Sequence, residues 1–109
     1  MDDGWIGVMP LDELRERRST RAMLGDESVM LYRDAERIFA IGNRCAHQGA
    51  PLDRGPVRIS GSLATVTCQV HGSMFRLDDG SVARGPAQAP VPAYDVRVTE
   101  GVVELRPRS

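Results

Sequence analysis

Short runs of apolar residues alternate with polar positions along most of the chain, which is typical of β-strands. Tyr94, Val96 and Val98 alternate with polar or charged neighbours, as in a strand with one buried face. Turn residues such as Gly25-Asp26 and Glu100-Gly101 separate the runs. Strands are predicted at residues 5–8, 19–24, 29–32, 38–41, 63–68, 94–99 and 102–105. We therefore expect an all-β protein, a small antiparallel sandwich or barrel.

One segment near the start departs from this pattern. Pro10 suits the first position of a helix, and Asp12 and Glu13 would lie in its first turn. Arginines follow at the expected end of the segment, where they would favour a helix terminus. A short helix or turn is therefore predicted over residues 10–18.

Composition limits the range of functions. The 109 residues suffice for one domain, and 41% of them are hydrophobic. The net charge of −1 argues against a nucleic-acid partner. The chain has no apolar run of membrane-spanning length, and its start, which includes Asp2 and Asp3, does not resemble a signal peptide. We expect a cytoplasmic protein without membrane attachment.

The region 43–92 combines many glycines and prolines with all the cysteines and histidines of the chain. The pattern is Cys45-x-His47, a gap of 20 residues, and Cys68-x-x-His71. A hairpin that turns near residues 60–62 would join the two clusters, each in a loop at a strand end. Two thiolates and two imidazoles brought together can hold a metal centre of mixed softness.

Three interpretations fit these four residues. A Cys45–Cys68 disulfide would leave both histidines unexplained. A structural zinc has the right ligand set, but zinc fingers usually place two cysteines in one half-site and two histidines in the other. In a Rieske [2Fe–2S] centre two histidines replace two cysteines on one iron, so one cysteine and one histidine from each loop would clamp the loops together.

The sequences Cys-Ala-His-Gln-Gly-Ala-Pro-Leu at 45–52 and Cys-Gln-Val-His-Gly-Ser-Met-Phe at 68–75 resemble the two boxes of Rieske-type ferredoxins. Gly80 and Gly85-Pro86-Ala87 resemble the turn and proline loop that follow. The resemblance implies a single Rieske domain over residues 1–109, with its cluster-binding loops within 43–92. It also implies one [2Fe–2S] cluster, held by Cys45 and Cys68 on the inner iron and by His47 and His71 on the outer iron.

Residues near these ligands differ from those of some Rieske proteins. Ala50 and Val70 stand where respiratory Rieske proteins have a disulfide, and Phe75 replaces a tyrosine that donates to cluster sulfur, whereas Ser73 is kept. Gln69 occupies a usual proline position, and the gap between the boxes is longer than in most such ferredoxins. Loss of a donor lowers the potential, so the resemblance implies a low-potential ferredoxin.

Such a ferredoxin would be an electron carrier and not an enzyme. It would pass electrons from a flavin-dependent reductase to the terminal component of a multicomponent oxygenase, through brief contacts near the imidazoles. The expected contact residues surround the loop tips: Gln48, Ala50, Pro51, Val70 and Pro86. The alternatives are a small subunit of a larger reductase, such as a nitrite reductase, and a zinc-binding interaction module without a redox role.

Overall fold

The computed structural model describes residues 4–46 and 49–108. Two single 3₁₀ turns, Leu11–Glu13 and Leu52–Arg54, interrupt the β-structure. The strands of the described residues are β1 (Ile6–Pro10), β2 (Ser19–Leu24), β3 (Glu27–Asp34), β4 (Arg37–Gly42), β5 (Val57–Ser60), β6 (Leu63–Thr67), β7 (Met74–Arg76), β8 (Val82–Arg84), β9 (Tyr94–Thr99) and β10 (Val102–Pro107).

These strands form three antiparallel sheets, which confirms the predicted all-β class. The sheet orders are β1-β10-β9, β2-β3-β4 and β5-β6-β7-β8. Strand β1 lies beside β2, and β4 lies beside β9 through a bridge between Ile41 and Ala93. The first two sheets thus close into a flattened barrel, and the third lies outside it. No helix among the described residues has the length and apolarity needed to span a bilayer.

The middle sheet, β2-β3-β4, separates two hydrophobic cores, and its central strand β3 is buried on both faces. Val29 and Leu31 of β3 face the barrel core, whereas Met30 and Tyr32 face the other side. Successive side chains of a strand point to opposite faces. A strand that is buried on both faces therefore needs an unbroken run of apolar residues. The second core, here called the loop-side core, consists of Met30, Tyr32, Ile41, Cys45, Leu52, Ala64, Val66, Cys68, Phe75, Leu77, Ala87 and Val91.

The outer sheet β5–β8 covers the loop-side core with its inner face. Val66 of β6 pairs with Val57 on one side and with Phe75 on the other, so these three side chains share that inner face. The opposite face carries mainly polar and basic side chains, of which the arginines are exposed and Thr65 is buried. Its members are Arg58, Thr65, Thr67, Met74, Arg76 and Arg84.

Most strand predictions are confirmed, and of the helix or turn predicted over residues 10–18 the structure contains a turn. Strands β2 and β9 begin and end as expected, and the hairpin between β5 and β6 turns at Gly61 and Ser62. Over residues 10–18, only the 3₁₀ turn Leu11–Glu13 forms, and Pro10 ends the edge strand β1 instead of opening a helix. Arg17 then adopts a positive φ of 61°, which no α-helix contains.

Candidate metal centre

The first loop of the site begins after β4 and is closed by two backbone hydrogen bonds. The Cys45 N–H donates to the Ala50 carbonyl at 2.8 Å, and the Gly49 N–H donates to the Cys45 carbonyl at 2.7 Å. Gly49 has a φ of 75°, a conformation that side chains disfavour. Cys45 therefore lies at the base of a narrow loop. His47 and Gln48 belong to this loop and lie outside the described residues.

The second loop, between β6 and β7, repeats this pattern. The Cys68 N–H donates to the Ser73 carbonyl at 2.7 Å, and the Gly72 N–H donates to the Cys68 carbonyl at 3.1 Å. Gly72 has a φ of 79°. The backbone of each cysteine thus forms hydrogen bonds with the backbone of the residues four and five positions later. In both boxes a glycine follows the cysteine by four residues, and this shared spacing is the sequence feature that indicates the same hydrogen-bonded loop in both places.

Both cysteines are buried and neither forms a disulfide, so the disulfide alternative is wrong. Cys45 is 3% exposed and Cys68 is 2% exposed, and both belong to the loop-side core. A bare thiolate would be costly in such apolar surroundings. Paired thiols at the bases of adjoining loops therefore suit a soft metal centre, which neutralises the thiolates that it binds.

Of the two predicted histidine ligands, the structure describes one, His71. His71 is exposed near the tip of the second loop, and His47 falls outside the described residues. Among residues 4–46 and 49–108, no three His, Cys, Asp or Glu side chains form a metal-binding group. The structure thus describes three of the four predicted ligands and brings the two cysteines into one core.

A third loop closes on the second through Ser73. Its buried side-chain oxygen accepts a hydrogen bond from the Ala87 N–H at 3.0 Å. Ala87 ends the Gly85-Pro86-Ala87 segment and is itself buried in the loop-side core. Phe75, two residues beyond Ser73, is fully buried in the same core. The two positions singled out in the second box therefore both face the interior beneath the loops.

An amide clamp that sequence reasoning missed holds the base of the first loop. Asn43 is 2% exposed, and its Nδ2 donates to Ser28 Oγ at 3.0 Å and to Asp53 Oδ1 at 2.9 Å. Its Oδ1 accepts from the Asp53 N–H at 2.7 Å, and its carbonyl accepts from the Leu52 N–H at 2.7 Å. The only sequence feature that indicates this clamp is a polar residue at a strand end, two residues before Cys45.

The model of the Rieske [2Fe-2S] domain family matches residues 4–95 of this chain. The chain belongs to this family. Membership implies one [2Fe–2S] cluster, and the two buried thiols at the bases of the twin loops fit that group. When bound, the cluster supplies a one-electron redox centre.

Three similar proteins place this Rieske chain among its relatives. The small subunit of nitrite reductase (NADH) from Escherichia coli K12 is 30% identical over 105 residues, which cover 94% of this chain and 96% of its own. The ferredoxin of carbazole 1,9a-dioxygenase from Nocardioides aromaticivorans IC177 is 30% identical, with a TM-score of 0.85 and coverage of 95% and 98%. A chain of the complex of reduced oxygenase and oxidized ferredoxin in carbazole 1,9a-dioxygenase is 25% identical, with a TM-score of 0.78 and coverage of 95% and 94%.

Proposed function

We propose that this chain is a one-electron carrier whose [2Fe–2S] cluster is bound by Cys45, His47, Cys68 and His71. The twin hydrogen-bonded loops carry the proposal, because they bury one cysteine each while His71 stays exposed near a loop tip. Two thiolates and two imidazoles are the ligand set of a Rieske centre.

The chain's own residues would give this centre its properties. The loop-side core encloses both thiols and excludes water from them. The exposed His71 gives a route for an electron to leave the buried site at the protein surface. No substrate needs to enter the molecule for this task, so we propose a carrier and not an enzyme.

The proposed route runs from a flavin-dependent reductase to the terminal component of a multicomponent oxygenase, in the cytoplasm. Support comes from the likeness to the ferredoxin of carbazole 1,9a-dioxygenase, and from a similar ferredoxin found in complex with its oxygenase. Contacts of this kind are brief and small. Of the residues predicted to form them, Pro51, Val70 and Pro86 are exposed.

A metal and sulfide analysis tests the cluster. Protein made with ample iron should contain two irons and two acid-labile sulfides per chain, and should show a rhombic Rieske-type EPR signal when reduced. Stoichiometric zinc without labile sulfide would favour the zinc-binding module instead. Reconstitution with a flavoprotein reductase and a ring-hydroxylating oxygenase should then restore substrate turnover that is absent without this chain.

The likeness to the nitrite reductase small subunit supports a second candidate function. In that case the chain would relay electrons within a fixed complex. Size-exclusion chromatography of the native protein from its own cells discriminates the two. Stable co-elution with a large catalytic subunit favours the reductase subunit, whereas a free red-brown protein of about 12 kDa favours the ferredoxin.

A further inference from the structure

A groove of about 550 Å³ lies over the outer sheet, and His71 is one of the residues that line it. Arg58 and Arg84 line its two sides, on strands β5 and β8. Thr67 and Met74 form its floor between them. Met74 pairs with both Thr67 and Arg84, and Arg58 lies on the same face of β5, so the two arginines rise from one face of the sheet.

These two arginines are exposed, and neither forms an ion pair within the described part of the chain. Six other arginines form ion pairs, as Arg97 does with Glu104 at 2.6 Å. Residues 43–92 carry five arginines and three aspartates, a net charge of +2, although the whole chain has a net charge of −1. Positive charge is therefore concentrated in the region that holds the predicted ligands.

The spacing of the two arginines indicates what they could bind. Strands β5 and β8 are three strand spacings apart, or about 14 Å. Two carboxylates on a rigid protein surface match this separation better than one small anion does. Val70, 52% exposed in the loop that contains His71, supplies an apolar contact beside the charged groove.

We propose that this groove is the docking site for a carboxylate-bearing surface of a redox partner protein. The inference rests on the proposed carrier function, because it places the partner next to His71. Arg58 and Arg84 would attract acidic side chains to either side of the groove and align the partner with that histidine. Charge complementarity of this kind raises association rates and orients short-lived complexes.

The test uses the complete holoprotein with an acidic flavodoxin as the probe. Binding is measured by calorimetry at about 20 mM NaCl, where screening is weak. The double variant R58Q/R84Q should bind flavodoxin at least about threefold more weakly, and flavodoxin hydroquinone should reduce it more slowly by a similar factor. Both differences should vanish at about 300 mM NaCl.

The matched control is R15Q/R18Q, which removes two exposed arginines that do not line the groove. It should change binding by less than about 1.5-fold. Oxidation of the reduced holoprotein by a basic cytochrome c should be unchanged or faster in R58Q/R84Q, since the lost charges repel that partner.

Several outcomes overturn the proposal. Equal losses in both double variants would mean that only net charge matters, and no loss in either would mean that the groove is unused. A single-stranded oligonucleotide that binds more tightly than flavodoxin, and only with Arg58 and Arg84 present, would assign the groove to nucleic acid. Arginine-dependent flavodoxin binding without any electron transfer would support the docking site but contradict the carrier function.

Discussion

The buried hydroxyl of Ser73 is expected to affect the midpoint potential of the cluster. Its oxygen accepts from the Ala87 N–H, and within the described residues no protein group accepts its proton. A proton that points at cluster sulfur stabilises the reduced state, because reduction adds negative charge there. Ser73→Ala should therefore lower the midpoint potential by about 40 mV for each kcal/mol of lost interaction. Phe75→Tyr, which adds a donor, should raise it by tens of millivolts.

Protein-film voltammetry at constant pH measures both shifts. Ser81→Ala is the matched control, because the Ser81 hydroxyl donates to Asp79 at 2.7 Å in the β7–β8 turn. It should leave the potential unchanged within about 10 mV, about a quarter of the shift for 1 kcal/mol. An upward shift for Ser73→Ala would show that this hydroxyl does not donate to the cluster.

The two cysteines should be individually indispensable for the centre. In Cys45→Ser or Cys68→Ser a hard hydroxyl replaces a soft thiolate, so iron and labile sulfide should fall to a small fraction of the wild-type content. The variants should also be less soluble, since ligand binding contributes folding energy. Iron, sulfide and visible absorption are measured against Ala46→Ser, which adds a hydroxyl at an exposed loop position and keeps both thiols. An unaltered spectrum in both cysteine variants would refute the ligand assignment.

At the scale of elements, the Asn43 clamp joins the first loop to β3 and to the Leu52–Arg54 turn. Asn43→Ala leaves the half-buried Asp53 N–H without its side-chain acceptor, which should lower the free energy of unfolding by about 1–3 kcal/mol. The double-mutant cycle with Asp53→Ala should give a coupling energy of about 1 kcal/mol, because the Asn43 Nδ2 donates to the Asp53 carboxylate and either substitution removes this bond. Denaturant unfolding of the four proteins measures it, and additive losses would contradict the clamp.

Tyr94 connects two sheets and makes stability depend on alkaline pH. Its hydroxyl donates to Glu27 Oε2 at 3.2 Å, and burial, with the charge of Glu27, raises the pKa of Tyr94 to about 12. The folded state thus favours the protonated phenol. The resulting stability is complete below pH 10, the unfolded pKa, and is lost as pH rises through about 12.

Tyr94→Phe should therefore lose about 1 kcal/mol at neutral pH but fall less steeply in stability between pH 10 and 12. Urea unfolding across this range gives both quantities. Glu27→Gln is the control, since it keeps a hydrogen-bond acceptor and removes the charge. The stability that this variant loses between pH 10 and 12 should lie between the losses of the wild type and of Tyr94→Phe. Parallel pH profiles for all three proteins would exclude Tyr94 as the titrating group.

The sequence predicted some of these elements well and others poorly, for physical reasons. The strands β2 and β9, six residues each, are long enough to show their pattern. The strands β7 and β8 have three residues each and were missed, because their conformation depends on pairing with neighbours more than on periodicity. The ligand pattern was visible because chemistry fixes the residue types, whereas the Asn43 clamp depends on contacts that only the fold creates.

For the whole molecule, the two cores predict how the protein responds to loss of its cluster. Both cysteines lie in the loop-side core, whereas the barrel core is built from other residues of β2, β3, β4, β9 and β10. The middle sheet belongs to both cores and can keep its pairing with the barrel. Stability need not be uniform in such an arrangement, because weakly held elements open separately.

Chelation of the iron should therefore loosen the outer sheet and leave the barrel folded. Hydrogen exchange followed by mass spectrometry should show at least about tenfold faster exchange in residues 49–55 and 68–76 of the apoprotein. Peptides that cover β3, β9 and β10 should change by less than about threefold, because each of these strands also packs in the barrel core, which contains neither cysteine. Uniformly faster exchange would mean that the two cores unfold as one unit. The barrel would then depend on the metal as strongly as the loops do, as in small domains that fold only when metal binds.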